Sequence, residues 1–373
     1  MKSAGRSAIA AALALAGLVC TGAARAQDVN PRRADLPEKE RIYSPYVERL
    51  SWDNGFAEGL FWGDTHLHTS YSTDAGMIGN TLPPEEAYRF ARGEEVITST
   101  GQRARLIRPL DFLVVSDHAA NLGLAPMIAE SNPDLLATEY GRRFSDLVNA
   151  GEGYQAFRLW AFEGVAANRD LIDSPKMART VWDREIDAAE RFNEPGRFTA
   201  FIGYEWTSLN RPGAPSNLHR VVVFKDDARK AGQIVPFSTF DSYDPEDLWQ
   251  WMADYEAETG GSVLAIPHNG NLSNGLMFAV ERLNGQPIDR AYAQNRARWE
   301  PLYEVTQIKG DGEAHPKLSP EDEFADYGTW DKGDIAGFTP KEDSMLPGEY
   351  ARSALQIGLQ LEEDIGANPF KFG

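Results

Sequence analysis

The chain has 373 residues, of which 42% are hydrophobic, and a formal charge of -19. That acidic balance argues against nucleic acid and anionic membranes as partners, because phosphate backbones are held by clustered Lys and Arg. With Cys20 as the single cysteine, an internal disulfide is excluded and stability rests on a hydrophobic core.

The opening "MKSAGRSAIAAALALAGLVCTGAARA" has a basic start, an apolar stretch from Ala8 to Cys20 and a small-residue site at Ala24-Arg25-Ala26, the pattern of a secretory signal peptide. Cleavage after Ala26 would leave an exported protein, periplasmic or secreted, of about 345 residues, enough for one large core. It would remove Cys20, and with it Lys2, Arg6 and Arg25 but no acid, shifting the balance from -19 to -22. No later run reaches ~18 consecutive apolar residues, so no membrane span is expected. Residues 27–60 read as an N-terminal extension and 61–373 as the main domain.

Next comes "FWGDTHLHTSYSTDA", which places His66 and His68 two residues apart. On or just beyond an extended strand, side chains at i and i+2 share a face, so both imidazoles can converge on one metal ion. Further strands are expected at "DFLVVSD" (111–117), "RFTAFIGYEW" (197–206), "RVVVF" (220–224), "SVLAIP" (262–267) and "LYEVTQI" (302–308), from β-branched and aromatic runs. Helices are expected at "PPEEAYRFARG", "PKMARTVWDREIDAAERFN", "PEDLWQWMADYEAET" and "YARSALQIGLQLEEDIG", three of them opening on proline. Alternating strand and helix implies a parallel sheet or barrel, with the helical stretch at about 121–180 inserted over one end.

His118, Glu205 and His268 each end an apolar strand, the edge where parallel α/β folds build their sites. His219 instead precedes its apolar run, and His315 lies in the loop-like "KGDGEAHP". Five of the six histidines therefore flank expected strands, an ordering that scattered core histidines would not show.

In this order, "GDTHLHTSYSTD", "VVSDH", "GYE", "HRVVVF" and "IPHN" resemble the motifs of the PHP superfamily, the polymerase and histidinol phosphatase metal-dependent phosphoesterases. "GYEWTS", "IPHNGNLSNG" and "KGDGEAHP" resemble more closely an exported branch known as domain of unknown function 3604. The resemblance implies an α/β fold, a PHP-like distorted (β/α)7 barrel, holding up to three divalent metals at the strand ends. It implies a first metal on His66, His68 and Glu205, a second on Glu205, His219 and His268, and a third on Asp74 and His118. Neutral imidazoles and carboxylates suit zinc, manganese or iron. Asp117 is expected beside the ligands or as an occasional one.

PHP proteins finish this site with an Asp-x-His on a final strand. Glu313-Ala-His315 has that spacing but follows "YEVTQIKG" without an intervening helix, so both residues are expected in a loop and the barrel's last elements are expected to be missing. The expected activity is hydrolysis of a small anionic substrate, a phosphate ester, by a metal-bridging hydroxide. Arg220 and Lys309 are the expected anion contacts; Asn269 and Asn271 orient substrate or make turns, and Trp206 walls the pocket or fills the core. The alternatives are an ester, amide or sulfate hydrolase on the same metals, or a non-catalytic metal or ligand-binding protein. Oligomeric state is not legible.

Overall fold

The computed structural model describes residues 60–209, 215–330, 333–334 and 339–373. The expected signal peptide and nearly all of the expected 27–60 extension lie outside them. The chain divides into two units, Met1–Leu60 with Pro195–Arg197, and Phe61–Glu194 with Phe198–Gly373; every strand and helix described belongs to the second.

The strands are β1 (Gly63–Leu67), β2 (Val96–Ile97), β3 (Arg103–Ala104), β4 (Phe112–Val115), β5 (Thr199–Phe201), β6 (Gly203–Trp206), β7 (Arg220–Phe224), β8 (Val263–Pro267), β9 (Thr306–Gln307) and β10 (Gly310–Asp311). One three-stranded sheet runs β1-β4-β5, all parallel, and another runs β6-β7-β8, all antiparallel. The pairs β2-β3 and β9-β10 are small hairpins. Glu205 N donates to Asp117 O and Ala119 N to Glu205 O, which joins the end of β4 to β6. The fold is mixed α/β, and the described strands close no barrel.

Three sequence expectations change here. "RFTAFIGYEW" is not one strand but two, β5 and β6, in different sheets. The switch occurs at Gly203, where a Cβ would stand 2.4 Å from Val114 Cγ1 and 2.9 Å from Val222 O; only glycine permits so close an approach. β7 instead pairs antiparallel with β6 and β8, and among the described residues of the 207–219 connection there is no helix of the kind that usually carries a parallel crossover. "LYEVTQI" contributes only β9 and a single parallel bridge between His268 and Glu304.

All four expected helices are present, at Pro84–Ala91, Pro175–Phe192, Pro245–Thr259 and Ala351–Ile365. Ser174 and Asp244 cap two of them by accepting from the Met177 and Glu246 N–H groups, with proline in the first turn, where its missing N–H is not needed. The 121–180 region holds helices Leu124–Ala129, Pro133–Ala137, Glu139–Asn149 and Gly153–Leu159 and a π-helical turn, Trp160–Val165. β7 is buried on both faces: Val222 and Phe224 join the main core, while Val221 and Val223 pack with Val114 and Ile266. Among the described residues no helix is long and apolar enough to cross a membrane.

Candidate metal centre

β1, β4, β6, β7 and β8 deliver their polar ends to one place. His66 lies in β1 where its pairing with β4 is irregular between Asp64 and Leu67, the kind of local distortion that re-aims a side chain. His118 and His268 follow β4 and β8, and Glu205 lies in β6. His219 precedes its apolar run because β7 is reversed: the start of an antiparallel strand lies at the same edge as the ends of its neighbours.

Glu205 is the hub, 1% exposed. Its Oε2 lies 3.0 Å from His66 Nε2, 3.0 Å from His68 Nε2 and 3.6 Å from His268 Nε2. Its Oε1 lies 2.7 Å from His219 Nδ1 and 3.1 Å from His118 Nδ1. One carboxylate thus faces five imidazoles, with its two oxygens serving different sets. Asp74 enters from the helix Thr73–Ile78, its Oδ2 3.2 Å from His118 Nε2. Four overlapping groups can each hold an ion: His66, His68 and Glu205; His68, Asp74 and His118; Glu205, His219 and His268; and His66, His268 and Glu304.

The hydrogen bonds fix one tautomer. Asp74 accepts only, so Ser72 Oγ donates to Asp74 Oδ1 at 2.9 Å and must accept from His68 Nδ1–H at 2.8 Å. His68 Nε2 is thereby turned toward Glu205 and toward His66 Nε2, 3.1 Å away. His268 is stranded outright: it is 1% exposed, and neither ring nitrogen has a partner. His219 Nε2 is likewise buried and unpartnered. A buried polar atom without a partner costs about 1–3 kcal/mol, and a cation would remove that cost at each nitrogen it binds.

Within this cluster of side chains, charge is carried by protons on the imidazoles. Burial alone would lower His66 and His118, but for His66 the carboxylates of Glu205 and Glu304, and for His118 those of Glu205 and Asp74, outweigh it, lifting them to about 9 and about 10. Burial would raise Glu205, yet the surrounding histidines hold it well below the usual carboxylate range. Burial, reinforced by charge on His66, keeps His268 well below its ordinary value and therefore neutral.

Asp117, expected beside the ligands, belongs to no ion-holding group among the described residues. It is buried, accepts from Thr69 N and Thr69 Oγ1, both at 2.5 Å, and so pins the segment after His68. Burial pushes Asp117 and its neighbour Glu185 up. Arg220 is not an anion contact. Successive strand residues face opposite ways, and while His219 faces the centre, Arg220 is buried with Nε 2.9 Å from Glu300 Oε1. Lys309 sits in the two-residue turn between β9 and β10 and forms no ion pair among the described residues; burial first, and the charge of Lys309 as a smaller addition, lower His219 and His268.

Glu313 and His315 stay outside the centre, as expected of a loop. Glu313 pairs with Arg352 at 2.7 Å, and the His315 ring lies 5.2 Å from that of Tyr350. Asn269 is buried with an unpartnered amide, Asn271 Nδ2 donates to Lys309 O, and Trp206 is buried in the main core. Sequence reasoning missed Glu304, whose Oε2 is 2.7 Å from His66 Nδ1. The available signal was its place in "LYEVTQI", a strand-like run after the one ending at His268.

No curated protein and no solved structure matches the chain. A family model described as a protein of unknown function, DUF3604, matches residues 56–373. That match takes in every residue of the centre, and the chain belongs to the DUF3604 family.

Proposed function

We propose that the chain is a metal-dependent hydrolase related to the PHP phosphoesterases, with a distorted-barrel ancestry, acting on a phosphate ester after export from the cytoplasm. The observation that carries this reading is Glu205 bridging two sets of imidazoles while His268 is buried with both nitrogens unpartnered. His66, His68 and Glu205 would hold one divalent transition metal, Glu205, His219 and His268 a second, and Asp74 with His118 a third. When bound, such ions supply Lewis acidity and a nucleophile at neutral pH. Lys309, whose charge is felt at His219 and His268, would be the cation for an anionic substrate.

One observation favours an uncharged ester or amide instead. A cavity of about 520 Å3 has Ala119, next to His118, among its lining residues, together with Phe237, Phe240, Trp251, Asp170, Asp173 and Asp241, and no Lys or Arg. The deciding experiment is metal analysis of protein purified without chelators, followed by matched phosphatase, phosphodiesterase, esterase and amidase assays. Phosphate-ester turnover lost on metal stripping and regained on reloading is expected. Esterase turnover alone would replace phosphorus with carbon as the electrophile, and less than one equivalent of metal would end the reading.

A further inference from the structure

We infer that Glu304 is the positioning carboxylate that fixes the tautomer and aim of His66 at the metal centre, and that the β9-β10 hairpin holds it in that role. This rests on the metal-centre reading above and extends it to a residue outside the motifs from which the ligand set was read.

The geometry separates two roles for Glu304. Two atoms bonded to the same ion at about 2.0–2.2 Å stand about 2.8–3.6 Å apart in octahedral or tetrahedral arrangements. His66 Nε2, His68 Nε2 and Glu205 Oε2 meet that spacing at 3.0–3.1 Å. Glu304 Oε2 instead meets His66 at Nδ1, the ring nitrogen pointing away from that group, at 2.7 Å, the separation of a charge-assisted hydrogen bond. His66 Nδ1–H donates to Glu304, leaving Nε2 to face Glu205 and His68. A carboxylate on the far nitrogen of a metal-binding histidine locks ring orientation and raises its basicity.

Glu304 is itself fixed at three points. Its backbone N donates to Pro267 O at 3.1 Å, and it bridges to His268. Its other oxygen, Oε1, accepts from Gln307 Nε2 at 3.0 Å. Gln307 lies in β9, whose hairpin closes through a turn ending at Gly310, φ +107°, where a Cβ would stand 2.8 Å from Trp330 Cβ. A line of contacts therefore runs Gln307, Glu304, His66, Glu205.

The test is zinc affinity and stoichiometry, measured by chelator competition on wild type, Glu304→Ala and Glu304→Gln, with thermal melts confirming that each is folded. Glu304→Ala should bind the same number of ions about 10–100-fold more weakly. Glu304→Gln should recover most of that loss, because its amide oxygen still accepts from His66 Nδ1–H. Nitrogen-15 NMR of zinc-loaded wild type should show His66 protonated at Nδ1. Unchanged affinity in Glu304→Ala, loss of a whole equivalent in Glu304→Gln, or an Nδ1-unprotonated His66 overturns this role while leaving the metal centre intact. Absence of zinc binding by wild type overturns the metal-centre reading itself.

Discussion

Two carboxylates in this protein are almost equally buried, Glu205 at 1% exposure and Glu300 at 3%, and they are neutralised by opposite means. Glu300 faces two guanidinium groups, with Arg220 Nε 2.9 Å from Oε1 and Arg296 Nε 3.1 Å from Oε2, and accepts from Trp249 Nε1 at 2.9 Å. Arginine stays charged at any ordinary pH, so that cluster is permanent. Burial would raise Glu300, but the two arginines hold it down. Glu205 has no arginine or lysine against it among its ion pairs, only imidazoles whose charge comes and goes. The first arrangement fastens α to β elements; the second can exchange protons for a metal ion. A buried ion pair thus says little about function until its cation is identified as fixed or exchangeable.

The sharpest way to break the contrast is Glu205→Gln. Removal of the one group that both sets of imidazoles share should drop bound metal to background by elemental analysis, whereas Glu300→Gln should leave metal per folded molecule unchanged. Equal loss from both would mean that the two clusters are not functionally distinct.

Arg220→Ala should show the reverse profile. It leaves Glu300 buried with one partner removed, and breaking a buried pair in this way costs about 3–5 kcal/mol. Urea unfolding should register that destabilisation, with metal stoichiometry in the folded fraction retained.

Protons give the third test. In the metal-free protein, His66 and His118 have pKa values raised to about 9 and about 10, above the ~6.5 of an unfolded chain. A raised pKa contributes stability that is fully present below the unfolded value and disappears as pH rises through the folded one. Metal-free protein should therefore lose stability from neutral pH toward pH 10, while metal affinity rises because its competitor protons leave. The gap in Tm between loaded and stripped protein should widen with pH over that interval. Calorimetric metal titration near pH 7 in buffers of different ionisation enthalpy should also show proton release; a gap that narrows, or no release, would contradict the proton-held centre.

The smallest effect is expected from Glu313→Ala. Glu313 pairs with Arg352 at the surface, an exposed contact worth about 0–1 kcal/mol. Metal content should stay at the wild-type level, and a clear loss would bring the 313–315 loop into the centre.

The sequence by itself determined the parts whose causes are local. Proline at the first helical turn and capping residues such as Ser174 and Asp244 mark helix starts, and apolar runs mark β4, β7 and β8. Polar residues at the ends of those runs disclosed His66, His68, His118, Glu205, His219 and His268 as one set. Tertiary structure decided the rest. The direction of β7 is decided by its antiparallel pairing with β6 and β8, and that direction alone explains why His219 precedes its strand while His118 and His268 follow theirs. The break between β5 and β6 depends on Val114 and Val222 crowding Gly203, neighbours that no local window contains. Arg220 differs from His219 by one position and by an entire environment, because a strand turns successive side chains to opposite faces and only packing reveals what waits on each. Glu304 meets His66 from 238 positions away, a pairing set by the register of the chain beside β8 rather than by any spacing within the sequence.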